Sequence, residues 1–337
     1  MTEYKIMNTL LPLGHVEKMF KETFGMIEKG QDLTHSPIAE WGRTSMAADR
    51  WWYGCEVAIN KEKAIKERLD KVVKLYHSIK QGGYNGSNIS IFFDRDGRVD
   101  VYDGFHRLNI MSYLNMQVKV NCVVTPRKED FPLAEAMIKL NSGKNLYHPC
   151  DDSRLNDFKV WRPDSRKRYS FIRPNLVGQT ILDIGCAEGY FSRMFAEKNY
   201  RVTALDIGRE RIAVTRYLAT LNNVQLNYHV GSWQNYMENL EEGVGFDNIL
   251  MLSVFHHDML KMGVDKAFKT LQLFRGKVKR LFVETPIDSH QIKWLDAEKK
   301  KAFQITEGDF RRRLEENTGM RITDTWRGIR PLFMLVA

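Results

Sequence analysis

The sequence Ile181-Leu182-Asp183-Ile184-Gly185-Cys186-Ala187-Glu188-Gly189-Tyr190-Phe191 sets the architecture of the second half of this 337-residue chain. Its apolar beginning predicts a buried strand, and the loop that carries Gly185 and Gly189 leads directly into a helix. In an open parallel sheet, ligands bind outside the carboxyl ends of the strands, where such a loop lies. The stretch therefore predicts a ligand site at the junction of a strand and a helix.

Strand and helix patterns alternate along the chain around this loop. The predicted strands are Thr180–Ile184, Arg201–Leu205, Gln225–His229, Asn248–Leu252 and Arg280–Val283. The predicted helices are Tyr190–Glu197, Arg209–Leu221, Trp233–Leu240 and Val264–Leu273. This alternation is typical of an α/β fold with a doubly wound, Rossmann-like parallel sheet. A helix Glu307–Asn317 and strands Arg321–Trp326 and Leu332–Val336 predict an antiparallel pair that closes the sheet.

Acidic residues near the ends of the first two strands indicate which nucleotide the site binds. Asp206 ends the second strand, about 20 residues beyond the loop, where a carboxylate accepts hydrogen bonds from both ribose hydroxyls. Asp183 or Glu188 can hold an ammonium group. A dinucleotide is the competing ligand, but Ala187 stands where its fingerprint has a second glycine, and Glu188 would repel a pyrophosphate. The pattern favours a sulfonium nucleoside over a dinucleotide, and the remaining alternative is an inert domain.

These residues resemble motif I and the ribose-binding acid of class I methyltransferases, and the resemblance covers the whole second half. It implies S-adenosylmethionine (SAM) as the cofactor. The implied cofactor-binding residues are Asp183, Gly185, Cys186, Glu188, Gly189, Asp206, Trp233 and Ser253. The acid that often caps adenine after the third strand is absent, and Trp233 stands there, either to stack on adenine or as part of the core.

The fourth strand runs into Leu252-Ser253-Val254-Phe255-His256-His257-Asp258, at the position that faces the sulfonium. The Asn/Asp-Pro-Pro-aromatic motif of amino-methylating DNA enzymes is absent there, and so is the nucleophilic cysteine of cytosine C5 enzymes. A histidine suits an oxygen acceptor, as a general base or as a cation beside a phosphate. We therefore predict catalytic roles for His256 and His257. The alternative for His257 is that it only caps the following helix.

Asp183–Ser192 together with Leu252–His257 resembles the methyltransferase part of the O-antigen chain-terminating kinase–methyltransferases, and Arg330–Phe333 is similar to their closing motif. The resemblance implies a phosphorylated glycan end as the methyl acceptor, although the protein-kinase-like domain and coiled coil of those enzymes have no counterpart here. The predicted substrate-binding residues are Trp161, Arg162, Arg166 and Arg330. Trp161–Arg166 also resembles the lead-in of tRNA wobble-uridine carboxymethyltransferases, so a tRNA or other nucleic-acid methyltransferase is the alternative.

The first half carries an α+β pattern. A helix is predicted over Lys61–Ile79, and strands Ile89–Phe93 and Val99–Tyr102 flank an Asp-Gly hairpin turn. Asp103-Gly104-Phe105-His106-Arg107 then opens a helix that ends near Leu114, and a strand Val118–Val124 follows. Backbone amides at a helix N-terminus favour phosphate, so Gly104, His106 and Arg107 are the predicted nucleotide-binding residues.

Ser78-Ile79-Lys80 with Gly82-Gly83 and the Asp103–Arg107 motif resemble the ParB/sulfiredoxin superfamily, over roughly Leu33–Val124. One branch comprises free-serine kinases with an Asp-Gly-His-His-Arg motif, in which Phe105 here replaces the first histidine. The resemblance implies ATP and Mg²⁺ as cofactors, with Asp103 as the metal ligand. Glu40 is the predicted base for the acceptor hydroxyl, with Asp32 a weaker candidate. The alternatives are a nucleotide-binding module without kinase activity and a His-Arg pair that only braces the helix.

Composition limits the class of protein and its partners. With 43% hydrophobic and 28% charged residues the chain is globular, and its net charge of +9 favours an anionic partner such as a phosphorylated glycan or a nucleic acid. The four cysteines are widely scattered, which predicts free thiols. Neither a secretory signal nor an apolar run long enough for a membrane span is found, so a cytoplasmic location is predicted, with the oligomeric state open.

A polar stretch from Asn141 to Arg168 divides the chain. The predicted organisation is a ParB/sulfiredoxin-like nucleotide-binding domain over residues 1–140, a linker or lid over 141–170, and a methyltransferase domain over 171–337. The leading hypothesis is a bifunctional enzyme whose first domain phosphorylates a hydroxyl and whose second domain O-methylates the product. A nucleotide-gated clamp with a degenerate second domain is a further alternative, which the intact acidic and glycine positions of the loop disfavour.

Overall fold

The computed structural model describes residues 2–6, 14–47, 60–84, 89–93, 96–116, 118–122, 145–150, 158–287 and 305–337. The chain forms two compact units, one of residues 1–94 and 99–130 and a second of residues 95–98 and 131–337. Cys55, Asp94 and Arg95 of the predicted turn, Val123 and Val124, and linker residues 141–144 and 151–157 lie outside the described residues.

The first unit has an α+β architecture. Its helices are α1 (Gly14–Glu28), α2 (Pro37–Ala47), α3 (Lys61–Gly82) and α4 (Phe105–Tyr113). Its strands are β1 (Thr2–Ile6), β2 (Ile89–Phe93), β3 (Val99–Asp103) and β4 (Val118–Cys122), in the sheet order β1-β4-β2-β3. Strand β2 is antiparallel to β3 and parallel to β4, whereas β1 is antiparallel to β4. The predicted long helix and hairpin are confirmed, and α1, α2 and β1 are additional elements.

Helix α3 follows directly from its sequence. Its apolar side chains recur at helical spacing and lie buried on one face: Ile65, Leu69, Val72, Tyr76 and Ile79. The side chain of Asn60 caps the helix by accepting a hydrogen bond from the Lys63 amide at 2.9 Å. Near the other end, the Tyr76 hydroxyl donates to Glu28 at 2.7 Å, which joins α3 to α1.

Seven strands of the second unit form one sheet. They are β7 (Thr180–Ile184), β8 (Arg201–Asp206), β9 (Asn227–Val230), β10 (Phe246–Leu252), β11 (Val278–Glu284), β12 (Arg321–Arg327) and β13 (Pro331–Val336). Their order is β12-β13-β11-β10-β7-β8-β9. Neighbouring strands from β9 to β11 are parallel, and β13 runs antiparallel to both β11 and β12. This confirms the predicted doubly wound sheet and its closing antiparallel pair.

The chain reverses its progress across the sheet at β7. From β7 it moves outward through β8 to β9, and then it returns to place β10 on the other side of β7. The crevice at the carboxyl ends of β7 and β10 is therefore a topological switch point, where open α/β sheets bind ligands. The glycine loop follows β7, and the His256–His257 pair follows β10, so both predicted motifs lie at this edge.

Seven helices surround the sheet in the described part of the second unit. They are α5 (Ser165–Ile172), α6 (Tyr190–Ala196), α7 (Arg209–Leu221), α8 (Trp233–Glu238), α9 (Phe255–Met262), α10 (Val264–Thr270) and α11 (Glu307–Thr318). A short parallel pair, β5 (Asn145–Leu146) and β6 (Lys159–Val160), precedes them. Helices α5 and α9 are additional to the prediction. Helix α5 occupies part of the predicted linker. Its Arg168 and Ile172 are buried, so this segment packs as part of the second unit.

Apolar side chains cover both faces of the large sheet. Leu182 and Ile249 belong to the core on one face, whereas their neighbours Ile181 and Leu250 belong to the core on the other. Adjacent strand residues point to opposite faces, so parallel strands covered on both sides read as continuous apolar runs. Among the described helices, none has the length and apolar character that a bilayer crossing requires.

Candidate active site

The loop after β7 is shaped by residues with positive φ angles. Gly185 and Gly189 have φ values of +69° and +71°, and Ala187 between them has +52°. A Cβ atom on Gly185 would lie 2.3 Å from Val254, and one on Gly189 would lie 2.3 Å from Thr215. Glycine is therefore required at both positions, for its conformation and for the close approach of neighbouring elements. The loop keeps its backbone next to the crevice.

Asp206 lies at the carboxyl end of β8, beside this loop, and is buried. One carboxylate oxygen accepts a hydrogen bond from the Gly208 amide at 2.9 Å, and the other accepts one from the Ala187 amide at 3.2 Å. Burial raises the pKa of this carboxyl above its ordinary value. Each oxygen retains a further lone pair, so the carboxylate fits a pair of sugar hydroxyls.

Asp183 and Glu188, the two candidates for an ammonium partner, are both buried but differ in their contacts. Asp183 accepts a hydrogen bond from the Ser192 hydroxyl at 2.6 Å, and burial raises its pKa to about 6. Glu188 accepts a hydrogen bond from the Tyr147 amide at 3.0 Å. Glu188 thereby connects the segment after β5 to the glycine loop, which gives it a structural function that the sequence did not predict.

The raised pKa of Asp183 predicts a pH dependence of stability. Its folded value of about 6 exceeds its ordinary value of 3.8, so the folded protein retains a proton that the unfolded chain has lost between these values. Stability is therefore lost as the pH rises through this window. We measure the free energy of unfolding in urea for Asp183→Asn and for the wild type. The variant's value relative to the wild type should be about 2–3 kcal/mol higher at pH 8 than at pH 4. A pH-independent difference would contradict this assignment.

Two of the predicted cofactor residues are core residues. Trp233 is only 3% exposed; its ring stacks on Phe274 with centroids 4.9 Å apart, and its indole donates to Asp258 at 2.8 Å. Of the two alternatives for Trp233, these contacts support the core role. Cys186 is buried beside Thr215, and burial raises the pKa of its thiol. Its side chain belongs to the interior, while its amide donates to the Leu205 carbonyl at 3.1 Å.

Two apolar residues beside Asp206 were missed by sequence analysis. Ile207 is 72% exposed and Val230 is 48% exposed, at the carboxyl ends of β8 and β9. The register pairs Asp206 with Val230, so both side chains flank the same acidic residue. An apolar residue directly after a strand-ending acid, where the chain leaves the core, is the signal that could have identified Ile207.

The two histidines occupy the first turn of α9. His256 is buried, and burial, together with the neighbouring His257 and Arg330, lowers its pKa to about 2. His257 is exposed to solvent. Partial desolvation and the charge of Arg330 also lower the pKa of its ring. Their ring centroids are 4.1 Å apart. Both rings are therefore neutral at neutral pH, and His257 is the one with access to solvent.

Arg330 joins the histidine pair although it is more than seventy residues away in sequence. It lies in the turn between β12 and β13, and pairing of Leu332 with Glu284 brings this turn to the carboxyl end of β11. Its positive charge acts on both histidines. The Arg330 Nη1 atom is buried without a hydrogen-bond partner among the described residues. The structure thus places the Arg330 guanidinium beside the histidine pair, and its role in substrate binding stays a prediction.

A buried ion cluster at the same edge was not predicted. It consists of Arg162, Asp164, Arg168 and Glu284. Arg162 is only 4% exposed, so its predicted role as a free substrate ligand is corrected to a buried ion pair with Asp164 and Glu284. Burial alone would raise the pKa of the Glu284 carboxyl, but Arg168 and Arg162 hold it below its ordinary value.

The other residues of the segment Trp161–Arg168 differ in exposure. Trp161 is 62% exposed, and Arg166 is exposed on α5. Arg168, by contrast, is fully buried and lies over the ring of Phe191 at 5.0 Å. The basic residues of this segment therefore do not form one continuous surface.

In the first unit, the Asp103–Arg107 motif occupies the predicted helix start. Gly104 precedes α4 with φ +95°, a conformation that favours glycine. Arg107 donates to Asp103 at 2.9 Å and to the Tyr84 hydroxyl at 2.9 Å. The ring of His106 packs against Phe20, with centroids 5.5 Å apart, and burial lowers its pKa to about 4. His106 is therefore neutral, and Arg107 is paired with the predicted metal ligand.

Glu40, the predicted base, lies on α2. It accepts a hydrogen bond from Arg43 at 2.6 Å and contacts the His35 ring at 3.1 Å. Neither of these side-chain contacts involves Asp103. Within the described ranges, no group of three His, Cys, Asp or Glu side chains is arranged to hold a metal ion.

A family model described as a methyltransferase domain matches residues 181–273. The O-antigen chain terminator bifunctional methyltransferase/kinase WbdD of Escherichia coli is 32% identical over 115 residues, which are 34% of this chain and 16% of that relative. A ubiquinone biosynthesis O-methyltransferase of Xanthomonas euvesicatoria pv. vesicatoria is 30% identical over 120 residues, 36% of this chain and 48% of that relative. The chain covers less than half the length of either relative.

Solved structures also align with parts of this chain. A crystal structure of WbdD aligns with a TM-score of 0.49 at 23% identity, over 59% of this chain and 46% of that chain. Magnesium protoporphyrin IX methyltransferase of Synechocystis PCC 6803, crystallised with bound SAM, aligns with a TM-score of 0.37 at 20% identity, over 51% of this chain and 75% of that chain. The family match over residues 181–273 includes the glycine loop, Asp206 and the histidine pair.

Proposed function

We propose that this chain, whose residues 181–273 form a SAM-dependent methyltransferase domain, transfers the methyl group to an oxygen of an anionic acceptor. The observation that carries the proposal is the meeting of two groups at one topological switch point. The glycine loop and Asp206 lie on the β7–β8 side, and the histidine pair with Arg330 lies on the β10–β11 side. The first group suits a sulfonium nucleoside, and the second suits an anion.

The residues around the loop fit SAM. The buried Asp206 carboxylate has acceptor capacity for the ribose hydroxyls, and Ile207 and Val230 offer apolar surface to the adenine. Asp183 and Glu188 supply negative charge near the methionine part. When bound, SAM supplies an electrophilic methyl group on a positively charged sulfur. This positive charge is compatible with nearby carboxylates, which would repel the phosphates of a dinucleotide.

The acceptor side favours an oxygen that is already anionic. His256 is too weakly basic to take a proton from a hydroxyl, because burial lowers its pKa to about 2. Arg330 can instead hold a phosphate or carboxylate through charge-assisted hydrogen bonds. We therefore assign Arg330 to binding and orienting the acceptor, and His257 to a polar contact at the rim of the crevice.

We further propose that the acceptor is a phosphate ester at a glycan end and that the first unit produces it. This proposal extends from the local similarity to a relative named as a bifunctional methyltransferase/kinase. In it, the first unit is a ParB/sulfiredoxin-like kinase that uses ATP and Mg²⁺. Gly104, His106 and Arg107 would bind phosphate, Asp103 would exchange its pair with Arg107 for the metal, and Glu40 would orient the acceptor hydroxyl.

Mass spectrometry of reaction products tests both parts. The 337-residue chain is incubated with a panel of glycans and their phosphate monoesters, with SAM alone, with ATP and Mg²⁺ alone, and with all three. We expect methylation of a phosphate monoester with SAM alone, and methylation of the unmodified glycan only when ATP is also present. Methylation of neutral glycans without ATP would contradict the proposal that the acceptor is anionic. If no phosphate were transferred to any glycan of the panel, the kinase assignment would be wrong.

Replacement of Arg330 by glutamine should impair acceptor binding without affecting SAM. Loss of a charge-assisted hydrogen bond costs about 1.5–3 kcal/mol, so KM for the phosphorylated acceptor should rise by about tenfold or more. The Kd of SAM, measured by calorimetry, should change by less than about twofold. Arg275→Gln is the matched control, because Arg275 binds backbone carbonyls of α11 away from the crevice. Equal KM values in Arg330→Gln and the control would contradict the role of Arg330.

A further inference from the structure

Arg162 uses its entire guanidinium group inside the second unit. Nε and Nη2 donate to the two carboxylate oxygens of Asp164 at 3.0 and 2.9 Å. Nη2 also donates to Glu284 at 2.5 Å, and Nη1 donates to Glu284 at 3.1 Å and to the Ser253 hydroxyl at 2.7 Å. Such a buried bidentate arrangement fixes position as well as charge. The partner that connects it to the crevice is Ser253.

Ser253 has a strained backbone. Its φ angle is +62°, in the left-handed region that side-chain-bearing residues avoid because of the Cβ atom. Its amide donates to the Glu284 carbonyl at 2.7 Å, and its hydroxyl donates to the Glu284 carboxylate at 2.7 Å. Strained conformations of this kind persist where the surrounding structure fixes them by several contacts. Arg162 and Glu284 supply these contacts.

The strained residue lies between the two halves of the candidate active site. Val254, the next residue, packs so closely on the glycine loop that a Cβ on Gly185 would lie 2.3 Å from it. Helix α9 then begins at Phe255 and carries His256 and His257. The backbone turn at Ser253 therefore sets the direction of the chain toward both the loop and the histidine pair.

We infer that Arg162 is a positioning residue for methyl transfer: through Glu284 it holds Ser253 in its left-handed conformation and so aligns Val254 and α9 with the glycine loop. The inference rests on the proposed methyltransferase function. It assigns a role in the site to a residue that precedes the first strand of the large sheet and that does not itself contact the cofactor or acceptor. Asp164 keeps the guanidinium in place from the other side.

Rescue by glycine separates positioning from general stability. Glycine adopts a positive φ without strain, so Ser253→Gly should remove the need for Arg162. Calorimetry with S-adenosylhomocysteine on the 337-residue chain should show binding at least tenfold weaker in Arg162→Met than in the wild type. The double variant Arg162→Met/Ser253→Gly should bind at least fivefold more tightly than Arg162→Met. The matched variant Arg162→Met/Ser253→Ala lacks the same hydroxyl but retains the Cβ atom, and it should show no such gain.

Hydrogen exchange supplies a readout that is independent of binding. The amides of Ser253 and His257 donate to the carbonyls of Glu284 and Val254, and both should exchange faster in Arg162→Met than in the Arg275→Met control. If Arg162→Met does not fold, Arg162→Lys, which loses the bidentate geometry, is measured in the same way and should bind threefold to tenfold more weakly than the wild type. Unchanged binding in the Arg162 variants, or equal binding by the glycine and alanine double variants, would overturn the inference. A wild-type chain that fails to bind the nucleoside would instead remove the proposed function.

Discussion

Replacement of Asp206 by asparagine is expected to weaken the binding of SAM by about 100-fold or more. The carboxylate accepts hydrogen bonds from the amides of Ala187 and Gly208, and it retains acceptor capacity for two ribose hydroxyls. The asparagine side chain offers only one oxygen acceptor. Its NH₂ group is a donor and would face the backbone amides and ribose hydroxyls, which donate as well. Two charge-assisted hydrogen bonds are worth about 3 kcal/mol or more, which corresponds to the expected factor.

Isothermal titration calorimetry of the 337-residue chain with SAM measures this effect. Asp324→Asn is the matched control, because Asp324 is an exposed aspartate on β12, at the far edge of the same sheet. The control should bind SAM within about twofold of the wild type. If Asp206→Asn also bound within tenfold of the wild type, the ribose would have to be held by another group.

The fold of the second unit could be predicted because its signals are local. Strands β7, β10 and β13 are short apolar runs, and the helices between the parallel strands have their own periodicity, so alternation indicates a doubly wound sheet. The glycine loop and Asp206 were likewise readable, because β7 and β8 are consecutive neighbours and their ends must meet. Helix α9 was missed, although the shorter helices α6, α8 and α10 were predicted.

The buried ion cluster could not be predicted from the same signals. Arg162 and Glu284 are 122 residues apart in sequence, and their contact exists only because β11 ends beside the segment that precedes α5. The run Trp161–Arg168 is polar in sequence, so it was interpreted as a linker or lid with substrate-binding arginines. Burial of a charged pair depends on its partner, and the partner was not identifiable without the fold. The core role of Trp233 was not identifiable for the same reason, since its contacts with Phe274 and Asp258 are also long-range.

The first unit was predicted less completely for a related reason. Helix α3 is long and strongly periodic, and the β2–β3 hairpin has an Asp-Gly turn, so both were evident. Helix α1, in contrast, joins α3 through Glu28, which accepts hydrogen bonds from Tyr76 and from Tyr113 on α4. This junction combines three segments that are distant in sequence. Tertiary contacts of this kind leave no local pattern.

Replacement of Glu284 by glutamine should destabilise the second unit by about 3–5 kcal/mol, because it leaves Arg162 and Arg168 buried with one carboxylate between them. Urea unfolding at pH 7 measures this loss. Glu316→Gln is the control: Glu316 forms an exposed ion pair with Arg312, and its loss should cost at most about 1 kcal/mol. An equal cost for both variants would mean that the buried cluster adds nothing beyond a surface pair.

The charge balance of the cluster predicts how this loss responds to pH and to a second substitution. The pKa of Glu284 is below its ordinary value, so its stabilising contribution is present above the unfolded value and is lost as the pH falls through the folded value. The difference between the wild type and Glu284→Gln should therefore shrink in acid. Removing Arg162 as well leaves Arg168 facing Asp164, one charge of each sign. The double variant Arg162→Met/Glu284→Gln should consequently be less destabilised than the sum of the two single variants, because its cluster is again neutral.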